Sequence, residues 1–126
     1  MKEIERRKYD LEDRLLDYAA RIVQLIDALP RTRAANHVAD QLLRSGTAPL
    51  SHHGEAQAAE SRDDFIHKLS LALKELKESR RWLRLIEKTR MAKDVRTVEP
   101  LLAETEELVR IFGASIRTSR SRKATQ

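Results

Sequence analysis

Between Ser61 and Lys88, Phe65, Leu69, Ala72, Leu76, Ser79, Leu83 and Ile86 follow one another at alternating steps of four and three. That spacing keeps one seam on one side of a helix. No Gly or Pro interrupts it, and the intervening residues are mostly good helix formers. Ser61 with Asp64 three positions on reads as an N-cap, and Asp63 adds negative charge where the helix dipole favours it. The pattern predicts a helix over 62–89, about 40 Å long. A helix of that length in a short chain must lie against others.

The rest of the chain supplies them. Leu11, Leu15, Tyr18, Ile22, Leu25 and Leu29 make one stripe, and Leu16, Ala19, Val23 and Ile26 a second beside it. Together they predict a helix over 10–28 that touches two neighbours, ended by Leu29-Pro30. The first nine residues either extend that helix or fray. Thr32 is placed to cap a second helix, with Ala35, Val38, Ala39, Leu42 and Leu43 inward. Gly46-Thr47-Ala48-Pro49 then admits two readings. Either one helix stops at Gly46 and another starts at Pro49, or a single helix over 33–59 bends at Pro49. The bent helix is preferred, because the 62–89 helix needs a partner of similar length. A fourth helix over 98–117 follows from Val98, Leu102, Thr105, Val109, Phe112 and Ile116, with Pro100 in its first turn. The expected fold is all-α: an antiparallel up-down-up-down four-helix bundle over 1–117. Residues 118–126, TSRSRKATQ, lack apolar content and are expected to be a disordered basic tail.

Composition sharpens this reading. The chain has 126 residues, 36% of them charged and only 4% aromatic, with no cysteine. A single domain is expected, without disulfides or thiolate metal sites. No apolar run approaches the ~20 residues that span a bilayer, and MKEIERRKYD has no apolar signal core, so a cytoplasmic protein and no membrane partner are expected. Of the net charge of +5, Arg117, Arg120, Arg122 and Lys123 carry +4 with no acid among residues 117–126, which leaves +1 for residues 1–116. Bulk attraction to phosphate would come mainly from the tail, or from a charge asymmetry created by folding.

The segment from Gln41 to Ile86 resembles the four-helix-bundle family first known from proteins encoded within ribosomal-RNA intervening sequences. The shared features fall on Leu42 to Thr47 (LLRSGT), Glu55-Ala56, Ser61 to Ile66 (SRDDFI), Leu69 to Glu75 (LSLALKE) and Trp82. The chain departs from the family at His52-His53-Gly54, where Asn followed by Ile or Tyr is usual. The resemblance implies a cytosolic bundle assembling as a homopentamer. One relative, the accessory protein of diversity-generating retroelements, binds nucleic acid and a reverse transcriptase through its basic surface, so RNA or DNA and such a protein are the partners implied here. For most members no activity is established.

Candidate chemistry is sparse. His52, His53, Glu55, Glu60, Asp63 and His67 show no Glu-x-x-His pair of the kind that holds metals inside bundles, so no metal or other cofactor is expected. Glu55 lies in a small, apolar stretch without a nucleophile or a phosphate-cradling loop beside it. It is expected to be a semi-buried acid paired with a base such as Arg44 or Lys74. Leu71, Trp82 and Leu85 fall off the main seam and are expected to pack against another subunit. Arg80, Arg81 and Arg84, the pair Arg31 and Arg33, and the tail cations Arg117, Arg120, Arg122 and Lys123 are the candidate phosphate contacts. Few aromatics are present to stack bases, so any binding should be backbone-directed and salt-sensitive. The expected function is a non-enzymatic homo-oligomeric scaffold or adaptor that binds nucleic acid non-specifically; the alternative is a protein-interaction module with no nucleic-acid role.

Overall fold

The structure, a computed structural model, describes residues 3–124, and side chains from residue 11 to residue 124. Four helices form it: α1 (Glu3–Ala28), α2 (Arg33–Gln57), α3 (Arg62–Thr89) and α4 (Val98–Ala124), with a single 3₁₀ turn at Val95–Thr97 before α4. Consecutive helices run antiparallel around one core, so the four-helix bundle read from the apolar spacing is the fold found. α2 packs along α3, and α3 along α4, while α1 meets α4 at fewer places.

Local signals place the ends of these helices. The Thr32 side chain accepts from the Ala35 amide at 3.1 Å, and that of Ser61 accepts from the Asp64 amide at 3.0 Å, so both expected caps are made. α3 stops at Arg90, whose φ of 53° is left-handed. The Arg90 and Met91 amides bond back to the Glu87 and Ile86 carbonyls, closing the end of the helix.

Three boundaries differ from expectation, the first being the end of α2 at Gln57 rather than at 59. α1 begins at Glu3, so the first turns extend the helix. α4 continues to Ala124, where a disordered stretch was expected from 118; residues 125 and 126 lie outside those described. Arg, Lys and Ala are good helix formers, cations suit the negative end of a helix, and the Lys123 ammonium pairs with Asp63 of α3. α2 runs unbroken through Pro49, which settles the choice between two helices and one. An interior proline costs about 3 kcal/mol. Burial of Pro49 and of the α2 residues on either side of it, against α3 and α1, offsets that cost.

The core follows the spacing closely. Ile66, Leu69, Ala72, Leu76, Ser79, Leu83 and Ile86 of α3 are buried, with Phe65 half-buried beside them. At mid-height each helix contributes one fully buried polar side chain: Tyr18, Ser45, Ser79 and Thr105. The Tyr18 hydroxyl and Thr105 Oγ1 are 2.7 Å apart, and Ser79 donates to Ser45 at 2.9 Å. Polar groups buried this deeply must be paired, and these four are paired with one another across the helices.

Candidate nucleic-acid interface

The two long edges of α3 carry different chemistry. Glu75, Glu78 and Trp82 share the edge turned to α2, while Lys74, Lys77, Arg81 and Arg84, at steps of three and four, share the edge turned to α4. On the α2 edge charges are neutralised. Arg44 donates to Glu75 at 2.7 Å and also pairs with Glu78. The Trp82 ring stands edge-on to His37, 5.9 Å between centroids, and its indole N–H points to Glu78 at 3.4 Å. Gly46, next on α2, faces α1: a Cβ there would lie 2.8 Å from Cγ2 of the fully buried Ile22. The LLRSGT stretch is therefore spent on packing. Leu42 fills the core, Arg44 bridges to α3, Ser45 bonds to Ser79, and Gly46 admits α1.

On the other edge, α3 and α4 flank an open groove of about 480 Å³. Lys74, Lys77 and Arg81 line it from α3, and Arg117 and Arg120 from α4; Ser70, Leu73, Gly113 and Ile116 complete its walls and floor. Among the described residues no carboxylate lines it. None of the five cations is in an ion pair among the described residues. Without a side chain, Gly113 leaves room for Arg117, whose Nη1 would lie 3.3 Å from an added Cβ. Ion pairs flank the groove: Arg80–Glu106 at 3.3 Å towards the middle of the bundle, and Lys123–Asp63 towards its end. A second hollow on the same seam, of about 400 Å³, is lined by Arg62, Phe65 and Arg122 together with Glu60.

The structure thus divides the candidate cations. Arg81, Arg117 and Arg120 come together. Arg80 is engaged with Glu106, Lys123 with Asp63, and Arg122 lines the neighbouring hollow. Arg84 is exposed on the cationic edge without lining the groove. Arg31 and Arg33 are exposed at the α1–α2 turn, at the other end of the bundle from Arg120. Lys74 and Lys77 were missed by sequence reasoning. Their steps of three and four to Arg81 carried the signal, masked by Glu75 and Glu78, which face the other way.

Glu55 is not the semi-buried acid expected. It is exposed and pairs with Lys68 at 3.0 Å rather than with Arg44 or Lys74. The Lys68 ammonium holds its carboxyl below the usual range. The inward position on that turn belongs to His53, buried with its ring edge-on to Phe112. Of the three expected interface residues, Leu71 and Trp82 are half-buried within the chain, and Leu85 is 41% exposed. Among the described residues no cluster of His, Asp and Glu is placed to hold a metal, and no helix is long and apolar enough to cross a membrane.

A family model described as 23S rRNA-intervening sequence protein matches residues 7–114. A crystal structure of a protein of unknown function from the S23 ribosomal protein family of Bacteroides thetaiotaomicron VPI-5482 is similar at a TM-score of 0.79 and 33% identity, covering 87% of this chain and 97% of that one. No curated protein matches the chain.

Proposed function

From the premise that the chain belongs to the 23S rRNA-intervening sequence protein family, we propose that it is a non-enzymatic helical adaptor that holds nucleic acid by its phosphate backbone in the groove between α3 and α4. One observation carries the reading: five cations converge on a groove that no carboxylate lines. Like charges gathered without counter-ions raise the local potential and draw in a polyanion. Arg14, Arg44, Arg80, Arg96 and Arg110, by contrast, each have an acid beside them.

Association of copies belongs to the same proposal. Leu85 is exposed on α3 beside Trp82, with Leu71 further along the helix, and a second copy would cover them. A homopentamer, the assembly that the family resemblance implies, would repeat the groove by symmetry and multiply a weak contact. Light scattering at micromolar concentration tests that half; a monomer would remove it.

The binding half is tested by titrating salt against generic RNA and DNA with the full chain and with an Arg117→Glu/Arg120→Glu variant. Binding that weakens with salt, and weakens further in the variant, supports the reading. No binding to either polymer at low salt would leave the protein-interaction module as the reading to pursue.

A further inference from the structure

We infer that the α3–α4 groove is a clamp for a single strand, taken with its sugar-phosphate backbone inward and its bases outward, and that it rejects a duplex. This rests on the nucleic-acid reading above and adds which form of the polymer the groove accepts.

The first argument is the shape of the charge. The cations are gathered on the walls of one groove: Lys74, Lys77 and Arg81 span about 10 Å of α3, and Arg117 and Arg120 stand on its α4 wall. A duplex presents two files of phosphate, separated by a groove of about 6 to 12 Å. A second file laid beside the first towards α2 would meet Glu75 and Glu78, two carboxylates set against the single guanidinium of Arg44. On α4 the acids Glu106 and Glu107 are each already paired with an arginine. Like charges set opposite one another exclude the wrong partner more effectively than attraction selects the right one. The ion pairs at the ends of the groove also bound how much backbone it can seat.

The second argument is what the floor lacks. Single-strand binders that read or stack bases offer aromatic faces to them. Here the floor is Leu73, Ile116 and the backbone at Gly113. Phe112 is buried in the core, and Trp82 faces α2. A base turned inward would find nothing to stack on, whereas a phosphate finds guanidinium and ammonium groups. Base identity should not matter, and neither should the ribose 2′-hydroxyl.

The test is fluorescence anisotropy with the full chain and labelled oligomers of about eight nucleotides, short enough to occupy one groove. The probes are oligo(U), oligo(A), oligo(dT) and a blunt RNA duplex of the same length. The three single strands should bind within about threefold of one another, with the duplex about tenfold weaker. If all five cations engage, log K against log salt should fall with a slope no steeper than about −3.5, and Arg81→Glu/Arg117→Glu should make it shallower by about 1.4. Change in that slope is a readout that a merely structural role would not move. Duplex binding as tight as the single strands would overturn the clamp and leave the nucleic-acid reading standing. Single-strand binding whose slope is unchanged in the groove variant would overturn the clamp too. No binding of any probe at low salt would instead remove the nucleic-acid reading beneath it.

Discussion

One helix faces two neighbours in this bundle, and its two edges are built on opposite terms. Towards α2, Glu75 and Glu78 are tied to Arg44, Ser79 is bonded to Ser45, and Trp82 is braced by His37. Towards α4, Lys74, Lys77 and Arg81 have no ion pair among the described residues and are joined by Arg117 and Arg120. The first edge is where the family-like motif lies, and that motif is used up in holding α1, α2 and α3 together. The second shares only Ser70, Leu73 and Lys74 with the family-like run Leu69 to Glu75, and is otherwise marked by a charge imbalance that folding creates.

The comparison breaks if the motif edge turns out not to be structural. Gly46→Val should have the largest effect, because even a Cβ meets Ile22 at 2.8 Å. Overpacking of this kind costs about 1–3 kcal/mol, and chemical denaturation should show the loss with the groove untouched. An unfolding midpoint equal to that of the parent would mean that α1 does not approach α2 so closely.

The buried polar layer gives a pH test of similar size. Burial pushes the Tyr18 phenol up to about 12, above the ~10 of an unfolded tyrosine. Its protonated state is therefore shared by folded and unfolded chains below pH ~10, and stability is lost as pH rises from there towards 12. A shift of about two units corresponds to roughly 3 kcal/mol. Tyr18→Phe should lose about 1 kcal/mol near neutrality with its hydrogen bond, yet fall less steeply than the parent over that alkaline window.

Arg44→Ala and Lys77→Ala compare the edges directly. Arg44→Ala strands two carboxylates and should cost about 1 kcal/mol, since the pair is partly exposed. Lys77→Ala should leave stability within about 0.5 kcal/mol. Equal losses would erase the distinction between bound and free charge. The smallest effect belongs to Gly113→Ala. It should raise thermal stability by roughly 0.5–1 kcal/mol through helix propensity, because the only neighbour within reach is the mobile end of Arg117. A net loss would show that Arg117 cannot yield.

Much of the fold was legible. The four-three spacing located α3, the hydroxyl caps Thr32 and Ser61 fixed two helix starts, and Val98 opened α4 as expected. What was not legible depends on distance between helices. Gly46 admits a helix end in one of the two readings, because nothing in the local sequence says that Ile22 will arrive above it. Glu55 reads as buried because its neighbours are small, but the inward place goes to His53, two positions earlier and about 200° round the helix. The cationic groove was half legible. Arg81, Arg117 and Arg120 were singled out, while Lys74 and Lys77 were hidden by counting charge along the sequence instead of around the helix.

The most direct measurement sets the two edges of α3 against each other in one binding experiment. Lys77→Glu/Arg81→Glu reverses charge on the α4 edge, and Arg44→Glu reverses it on the α2 edge; each is assayed for affinity to a short single-stranded RNA at the same salt. The groove variant should lose affinity by about tenfold or more, and the Arg44 variant, where it folds, should bind like the parent. Equal loss from both edges, or loss from the α2 edge alone, would contradict the assignment of the interface to α3 and α4.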